Sequence, residues 1–417
     1  MLIYFINSGG DNMKRAIVLS GGGGKGGYQL GFWMAIRKLK MDYSIVTGTS
    51  IGAINGAFMV QGNFSDVYKL WYFMDYKKVY KIDMETSGNN TKGKKALAIN
   101  YTKGALQGGL ETPGLEKMIK ENIDPDKFFN SDIDYGLVTV KFPSMKPVLM
   151  TKNKMEKDKL HDYLIASSCC FPAFKIKNIE NESYIDGGYY DNMPINLAIE
   201  LGADEIIGVD LRAIGIMRKI KDKSVPITMI TPRNKIGSFL VMNNNQTRLD
   251  IKLGYNDTMK TFNALDGNFY TFKKGSLNRN FDRINGRFYD NLDSYINTDI
   301  LRKKYVKIYG KNKTLEFNKV LENTMSAFDL DVTKIYRTSV ANVLIKKKFL
   351  KTNFKSYNTI IGAIKNNSVK KMFVSSELIC YIYKILEQNK KTKINNLAVM
   401  FPNAFLCAIY LKTILRR

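Results

Sequence analysis

Two strand–turn–helix units follow one another near the start of the chain, and together they leave few folds open. The first, RAIVLSGGGGKGGYQLGF (residues 15–32), runs from an apolar β-type stretch through a loop made almost wholly of glycine into a helical pattern that lasts from about Tyr28 to Lys40. The second, YSIVTGTSIGAINGAF (43–58), sets Ser50 between Gly48 and Gly52 at the point where a strand gives way to a helix. Short apolar strands alternating with helices are strands buried on both faces, which predicts an α/β fold: a three-layer α/β/α sandwich around a mostly parallel sheet.

The alternation continues through the first two thirds of the chain. YGLVTVKF (135–142) and KPVLMTK (146–152) read as a hairpin, HDYLIASSC (161–169) as a helix, and SYIDGG (183–188) as a strand end. NLAIELGADEIIGVDL (196–211) reads as a helix leading into a further strand. From about Asp266 the strand signals fade and helical periodicities take over, as in VLIKKKFLKTNF (343–354) and LICYIYKILEQ (378–388). The expected organisation is an N-terminal extension over 1–12, a first domain over 13–264, and a basic, mainly helical region over 265–417.

Charge separates the same two parts. The net charge is +26, of which residues 265–417 carry +18, from 29 Lys and Arg against 11 Asp and Glu. Such a balance suits anionic partners, either nucleic acid or an acidic lipid surface. No nucleic-acid-binding motif accompanies it, so nucleic acid is not the expected partner. The aromatics Phe354, Tyr357, Tyr381 and Tyr383 interleave with the basic residues and suit either a bilayer surface or a helical core. Cys169, Cys170, Cys380 and Cys407 have no CxxC spacing, and one histidine in 417 residues leaves no ligand set for zinc. The opening MLIYFINSGGDN lacks the basic start and the apolar length of a signal peptide. LAVMFPNAFLCAIYL (397–411) is too short and too interrupted, by Pro402 and Asn403, to be a span, and reads as a buried closing helix. The expected location is the cytoplasm, with peripheral contact at a membrane.

The glycine loop admits several readings. Gly21-x-Gly23-x-x-Gly26 matches a dinucleotide fingerprint, with Asp42 placed for a ribose, whereas a P-loop would need glycine at Leu19 and a hydroxyl at Gly26. Common to all of them is a helix N-terminus stripped of side chains, where free N–H groups can hold an anion, a developing oxyanion included. Lys25 adds a cation there.

A serine in Gly-x-Ser-x-Gly is a nucleophile candidate, and it needs a base. In α/β-hydrolases the histidine follows the serine near the end of the chain, yet here no histidine follows His161. His161 opens an amphipathic helix, an ordinary place for a surface histidine. The remaining candidate is a carboxylate, and Asp186 stands at the end of an apolar strand before Gly187 and Gly188. Burial would raise its pKa and its basicity.

GTSIGAINGA (48–57), ASSCCFPAFKI (166–176), YIDGGYYDNMPI (184–195), LGADEIIGVDL (201–211), ITPRNKIGSFLVM (230–242) and IKLGYNDTMKTF (251–262) stand in an order and spacing that resembles the patatin-like phospholipase family over residues 13–264. That resemblance implies a Ser–Asp dyad without histidine, with Ser50 as nucleophile and Asp186 as general base. It implies an oxyanion loop over Gly21, Gly22, Gly23, Gly24, Lys25 and Gly26, and neither cofactor nor metal. The implied substrates are phospholipids or other acyl lipids, handled by a hydrolase or by an acyltransferase with the same dyad; a catalytically silent lipid- or partner-binding protein on the same fold is the other class. Cys169-Cys170 occupies a place where the family has small residues, a departure expected to leave the dyad untouched.

Overall fold

The computed structural model describes residues 13–73, 108–239, 244–295, 303, 313–352, 374–389 and 391–415. The expected extension 1–12, the aromatics Phe354 and Tyr357, and residues 240–242 of the ITPRNKIGSFLVM stretch lie outside these. Two compact units divide the chain, Met1–Thr261 and Phe262–Arg417.

In the first unit the strands are β1 (Arg15–Leu19), β2 (Ile45–Thr49), β3 (Asp134–Phe142), β4 (Pro147–Thr151), β5 (Lys177–Ile179), β6 (Glu182–Asp186), β7 (Glu205–Val209) and β8 (Ile227–Ile230). Its helices are α1 (Gly27–Lys38), α2 (Ile51–Gln61), α3 (Phe64–Tyr72), α4 (Pro113–Asn122), α5 (Pro125–Phe129), α6 (Leu160–Ser167), α7 (Ile195–Glu200) and α8 (Asn244–Thr261). The sheet has eight strands in the order β5-β6-β3-β2-β1-β7-β8, with β4 also on β3. The run β3-β2-β1-β7-β8 is parallel, and β4, β5 and β6 add antiparallel pairs at the β3 end. The apolar run AIVL in β1, and the whole of β2 with its Thr47 and Thr49, are buried throughout because helices cover both faces. Helix α8 is tied into this layer by buried polar groups. Tyr28 of α1 donates to Asp257 Oδ2 (2.9 Å), and Lys260 pairs with Asp257 Oδ1 (3.0 Å), its own helical neighbour.

The second unit holds α9 (Ser276–Tyr295), α10 (Lys313–Ala327), α11 (Thr338–Lys351), α12 (Ser376–Glu387), α13 (Lys391–Met400) and α14 (Pro402–Leu415). It also holds a three-stranded sheet of β9 (Leu265–Asp266), β10 (Thr271–Lys273) and β11 (Ile335–Tyr336) that the sequence pattern does not disclose. Strands of two or three residues are too short to show a period. The core gathers Phe272, Phe288, Phe317 and Tyr410 around α14, with Tyr381 and Tyr383 packed against it. Those two tyrosines therefore belong to helical packing. Lys412 is buried as well, its ammonium paired with Glu387. Among the described residues no single helix is long and apolar enough to cross a membrane. The pair Lys393–Met400 and Pro402–Leu415, bent by 120°, passes on length and composition together.

Candidate active site

Ser50 is held in a backbone conformation that its side chain disfavours. Its φ of 56° and ψ of −127° place a non-glycine residue in a region costing about 1–3 kcal/mol, which persists only where the surroundings enforce it. They do so by close packing. A Cβ added at Gly52 would stand 2.2 Å from the Leu19 carbonyl oxygen, so only glycine lets α2 pass this close behind β1. The Ser50 N–H donates to Ser167 Oγ (2.9 Å), and the Ser167 hydroxyl donates in turn to the Val138 carbonyl (2.7 Å). One side chain from α6 thus ties the turn to β3.

The registers on β3 bring Asp186 to the same place. β2 pairs residues 134–138 of β3, up to Thr49 opposite Val138, and β6 pairs residues 139–142, starting with Asp186 opposite Thr139. β4 pairs residues 136–140 and so overlaps both. A strand has two edges, so β4 takes one while β2 and β6 share the other, end to end. The carboxyl ends of β2 and β6 therefore meet at Val138 and Thr139, which sets Ser50 and Asp186 side by side.

Ser50 and Asp186 are 6% and 5% exposed. Burial pushes the Asp186 carboxyl up to about 6, against the pull of hydrogen bonds from the Gly188 N–H (2.7 Å to Oδ1) and the Ser50 hydroxyl. Gly187 fits because a Cβ there would stand 2.1 Å from the Val138 carbonyl oxygen. The cysteine pair does touch Asp186, contrary to the sequence expectation. Asp186 N–H donates to the Cys169 carbonyl (2.8 Å), since the turn after α6 runs alongside β6. Burial first, then the Asp186 charge, pushes both the Cys169 and Cys170 thiols up to about 12, so they remain neutral and weakly nucleophilic.

In the glycine loop the N–H groups divide into used and unused. Gly21 donates to the Asn192 carbonyl (3.0 Å), Gly24 to the Phe239 carbonyl (2.9 Å) and Lys25 to Gly22 (3.2 Å). Among the described residues, the N–H groups of Gly22 and Gly23 have no partner. The Lys25 ammonium turns away, to the carbonyls of Leu211 (3.2 Å) and Arg212 (3.1 Å), and partial burial lowers its pKa. It tethers a neighbouring loop instead of adding charge at an anion site. His161 is committed elsewhere too: its Nε2 lies 2.8 Å from the Ile123 carbonyl, to which it donates.

Beside Ser50 a cavity of about 30 Å³ is lined by Gly23, Ile54, Leu115, Phe174 and Phe239. That is room for a single water molecule between apolar walls. Phe239 is held over the glycine loop through Gly237, whose N–H donates to both carboxylate oxygens of Asp250 on α8 (3.0 and 3.2 Å). Ser167, Asn192, Phe239 and Asp250 are parts of the site that sequence reasoning missed. Nothing in their local patterns separates them from ordinary helix, turn and loop residues. Among the described residues no group of three or more His, Cys, Asp or Glu is placed to hold a metal ion.

Ser167→Ala leaves the buried Ser50 N–H and Val138 carbonyl facing a gap. It is expected to lower stability by about 1–3 kcal/mol, read as a fall in urea midpoint at unchanged slope.

The profile of the patatin-like phospholipase family matches residues 17–199. A curated relative, the cUMP-AMP-activated phospholipase of Escherichia coli, is 25% identical over 235 residues, 50% of this chain and 65% of the relative, so the chain spans less than two thirds of its length. Among solved structures, VipD from Legionella pneumophila shares 15% identity at a TM-score of 0.39, over 97% of this chain and 90% of that one. The type III effector protein ExoU shares 13% at 0.33, over 95% and 77%. The Gly-x-Ser-x-Gly turn and the Asp-Gly-Gly turn meet at one point of a largely parallel sheet, and residues 17–199, which span both, are similar to the patatin-like phospholipase family.

Proposed function

We propose that the chain is a lipid acyl hydrolase of the phospholipase A or lysophospholipase type, acting on carboxylic esters through Ser50 and Asp186. The observation that carries this reading is the meeting of a strained serine and a buried, basic carboxylate at the shared edge of β3. Asp186 takes the Ser50 hydroxyl proton as Oγ attacks the ester carbonyl. The free N–H groups of Gly22 and Gly23 hold the oxyanion, a narrower pair than the whole glycine loop. The tetrahedral species collapses, the alcohol leaves with the proton from Asp186, and Ser50 keeps the acyl group. Asp186 then deprotonates a water that releases the fatty acid and restores the Ser50 hydroxyl. An acceptor alcohol in place of that water would make the same site an acyltransferase. Apolar walls beside Ser50 favour an acyl chain, and the family and the relative's name point to the same class of substrate. Such a protein would work from the cytoplasm as a peripheral protein at a membrane surface.

The test is labelling of the full chain with a fluorescent fluorophosphonate. Wild type and H161A are expected to label, S50A and D186N to stay dark. Labelling of S50A, or its loss in H161A, would overturn the dyad.

A further inference from the structure

The segment between β7 and β8 runs through LRAIGIMRKIKDKS, residues 211–224, in neither helix nor strand. Its main chain is bound to the site at two points. Lys25 of the glycine loop donates to the Leu211 and Arg212 carbonyls. On the other side, the Ile216 N–H donates to the Gly188 carbonyl (2.9 Å) and the Asn192 N–H to the Ile216 carbonyl (2.6 Å). The loop is thus fixed to both the glycine loop and the Asp-Gly-Gly turn.

Leu211 is buried and Ile220 packs on the core, but the apolar side chains at the middle of the segment are exposed. Ile214, Ile216 and Met217 are 101%, 50% and 50% exposed, three large aliphatic side chains within four positions. Singly scattered apolar residues are ordinary on a soluble surface, but a cluster marks an interaction site. Cations flank the cluster along the chain. Within the segment Arg212, Arg218, Lys219, Lys221 and Lys223 stand against Asp222, a net +4, with Lys221 paired to Glu200 outside it (3.2 Å). Arg218 is fixed in place, its guanidinium 3.9 Å over the Tyr190 ring with Nε donating to the Tyr190 carbonyl.

We propose that the Ile214–Met217 tip inserts into the headgroup layer of an anionic bilayer, with the flanking cations on lipid phosphates, so that the membrane is presented to Ser50. This rests on the reading of the site as one for acyl lipids and names the surface that brings it to them. The chemistry favours lipid over a protein partner. The tip is exposed and aliphatic, without the aromatic residues that dominate protein–protein hot spots, and cations flanking an apolar tip match the layered polarity of an anionic membrane. Expected docking therefore moves from the basic C-terminal third to a loop that touches the site itself.

The experiment is co-sedimentation of the full-length S50A chain, which leaves vesicles intact, with phosphatidylcholine vesicles and with equal parts phosphatidylcholine and phosphatidylglycerol, at low and high salt. Binding is expected only with phosphatidylglycerol and to weaken with salt. I214E/M217E is expected to bind about tenfold or more weakly, because a charge replaces apolar insertion. R212E/K219E should lose roughly fivefold for each cation removed. Thermal unfolding checks the fold of each variant, and the Ile214 and Met217 side chains, facing solvent, are expected to leave the midpoint in place. Equal binding to both vesicle types, or undiminished binding of I214E/M217E, would overturn the proposal, the latter by locating docking elsewhere. Absence of vesicle binding would overturn it in favour of a protein partner. Binding is read without turnover and fluorophosphonate labelling without lipid, so failure of either leaves the other standing.

Discussion

Asp186→Asn and Ser50→Ala are each expected to lower kcat/KM for hydrolysis of a monomeric ester by at least about a thousandfold. Asparagine keeps the shape of Asp186 and can still accept from the Gly188 N–H, but it cannot take the Ser50 proton. The wild-type pH profile should carry the same signature. In the proposed mechanism Asp186 works as the carboxylate, and with its pKa at about 6 the rate should be level above that value and fall about tenfold per pH unit below it. Three other titratable groups feel the Asp186 charge, Cys169 and Cys170 after α6 and Tyr189 in the turn after β6. All are pushed up to about 12 and stay neutral across the range. H161A should retain both the rate and the limb. A limb that moves with His161, or an S50A rate near wild type, would transfer the chemistry to other residues.

The same Asp186→Asn change is expected to make the protein more stable. The Asp186 carboxyl titrates at about 6 in the folded chain against about 3.9 when unfolded, so folding opposes its ionisation. No penalty exists below the unfolded pKa. It grows between about pH 4 and 6 and is complete above the folded pKa, at about 2–3 kcal/mol. Removing the charge should therefore raise stability by that amount at pH 8, and the gain should vanish as pH falls toward 4. Urea midpoints of the two proteins at both pH values measure it. Equal midpoints at pH 8 would mean that the buried charge is compensated by groups other than those named. Activity lost and stability gained at one position is what a carboxylate held basic by burial implies.

The parts of this site readable from the sequence are those whose chemistry is local. A serine flanked by glycines at a strand–helix junction, an aspartate before two glycines, and a glycine-only loop each have a reason within a few residues. Partnership is not local. That Thr49 and Asp186 follow one another along one edge of β3 depends on pairings across more than a hundred residues. The same distance hides Ser167, whose hydroxyl links Ser50 to Val138 from a helix that reads as ordinary. Lys25 was misplaced for a related reason. Its position beside the glycines suggested an anion, but the carbonyls that claim it belong to the segment after β7, which reaches it only once the parallel sheet has formed. In the second unit, helical periodicity disclosed α11 and α12, while β9, β10 and β11 are too brief to announce themselves.

The end-to-end placement of β2 and β6 on one edge of β3 has a consequence for control. Ser50 and Asp186, the proposed nucleophile and base, are measured off the same ruler, two successive residues of a central strand, with Ser167 and the Gly187 contact clamped to the first of them. No hinge separates Ser50 from Asp186, so no domain movement can pull the two apart or bring them together without breaking the sheet. On the proposed mechanism, control would fall to the cavity beside Ser50, where Leu115, Phe174 and Phe239 leave space for a single water, while the Ser50–Asp186 pair stays assembled by the sheet.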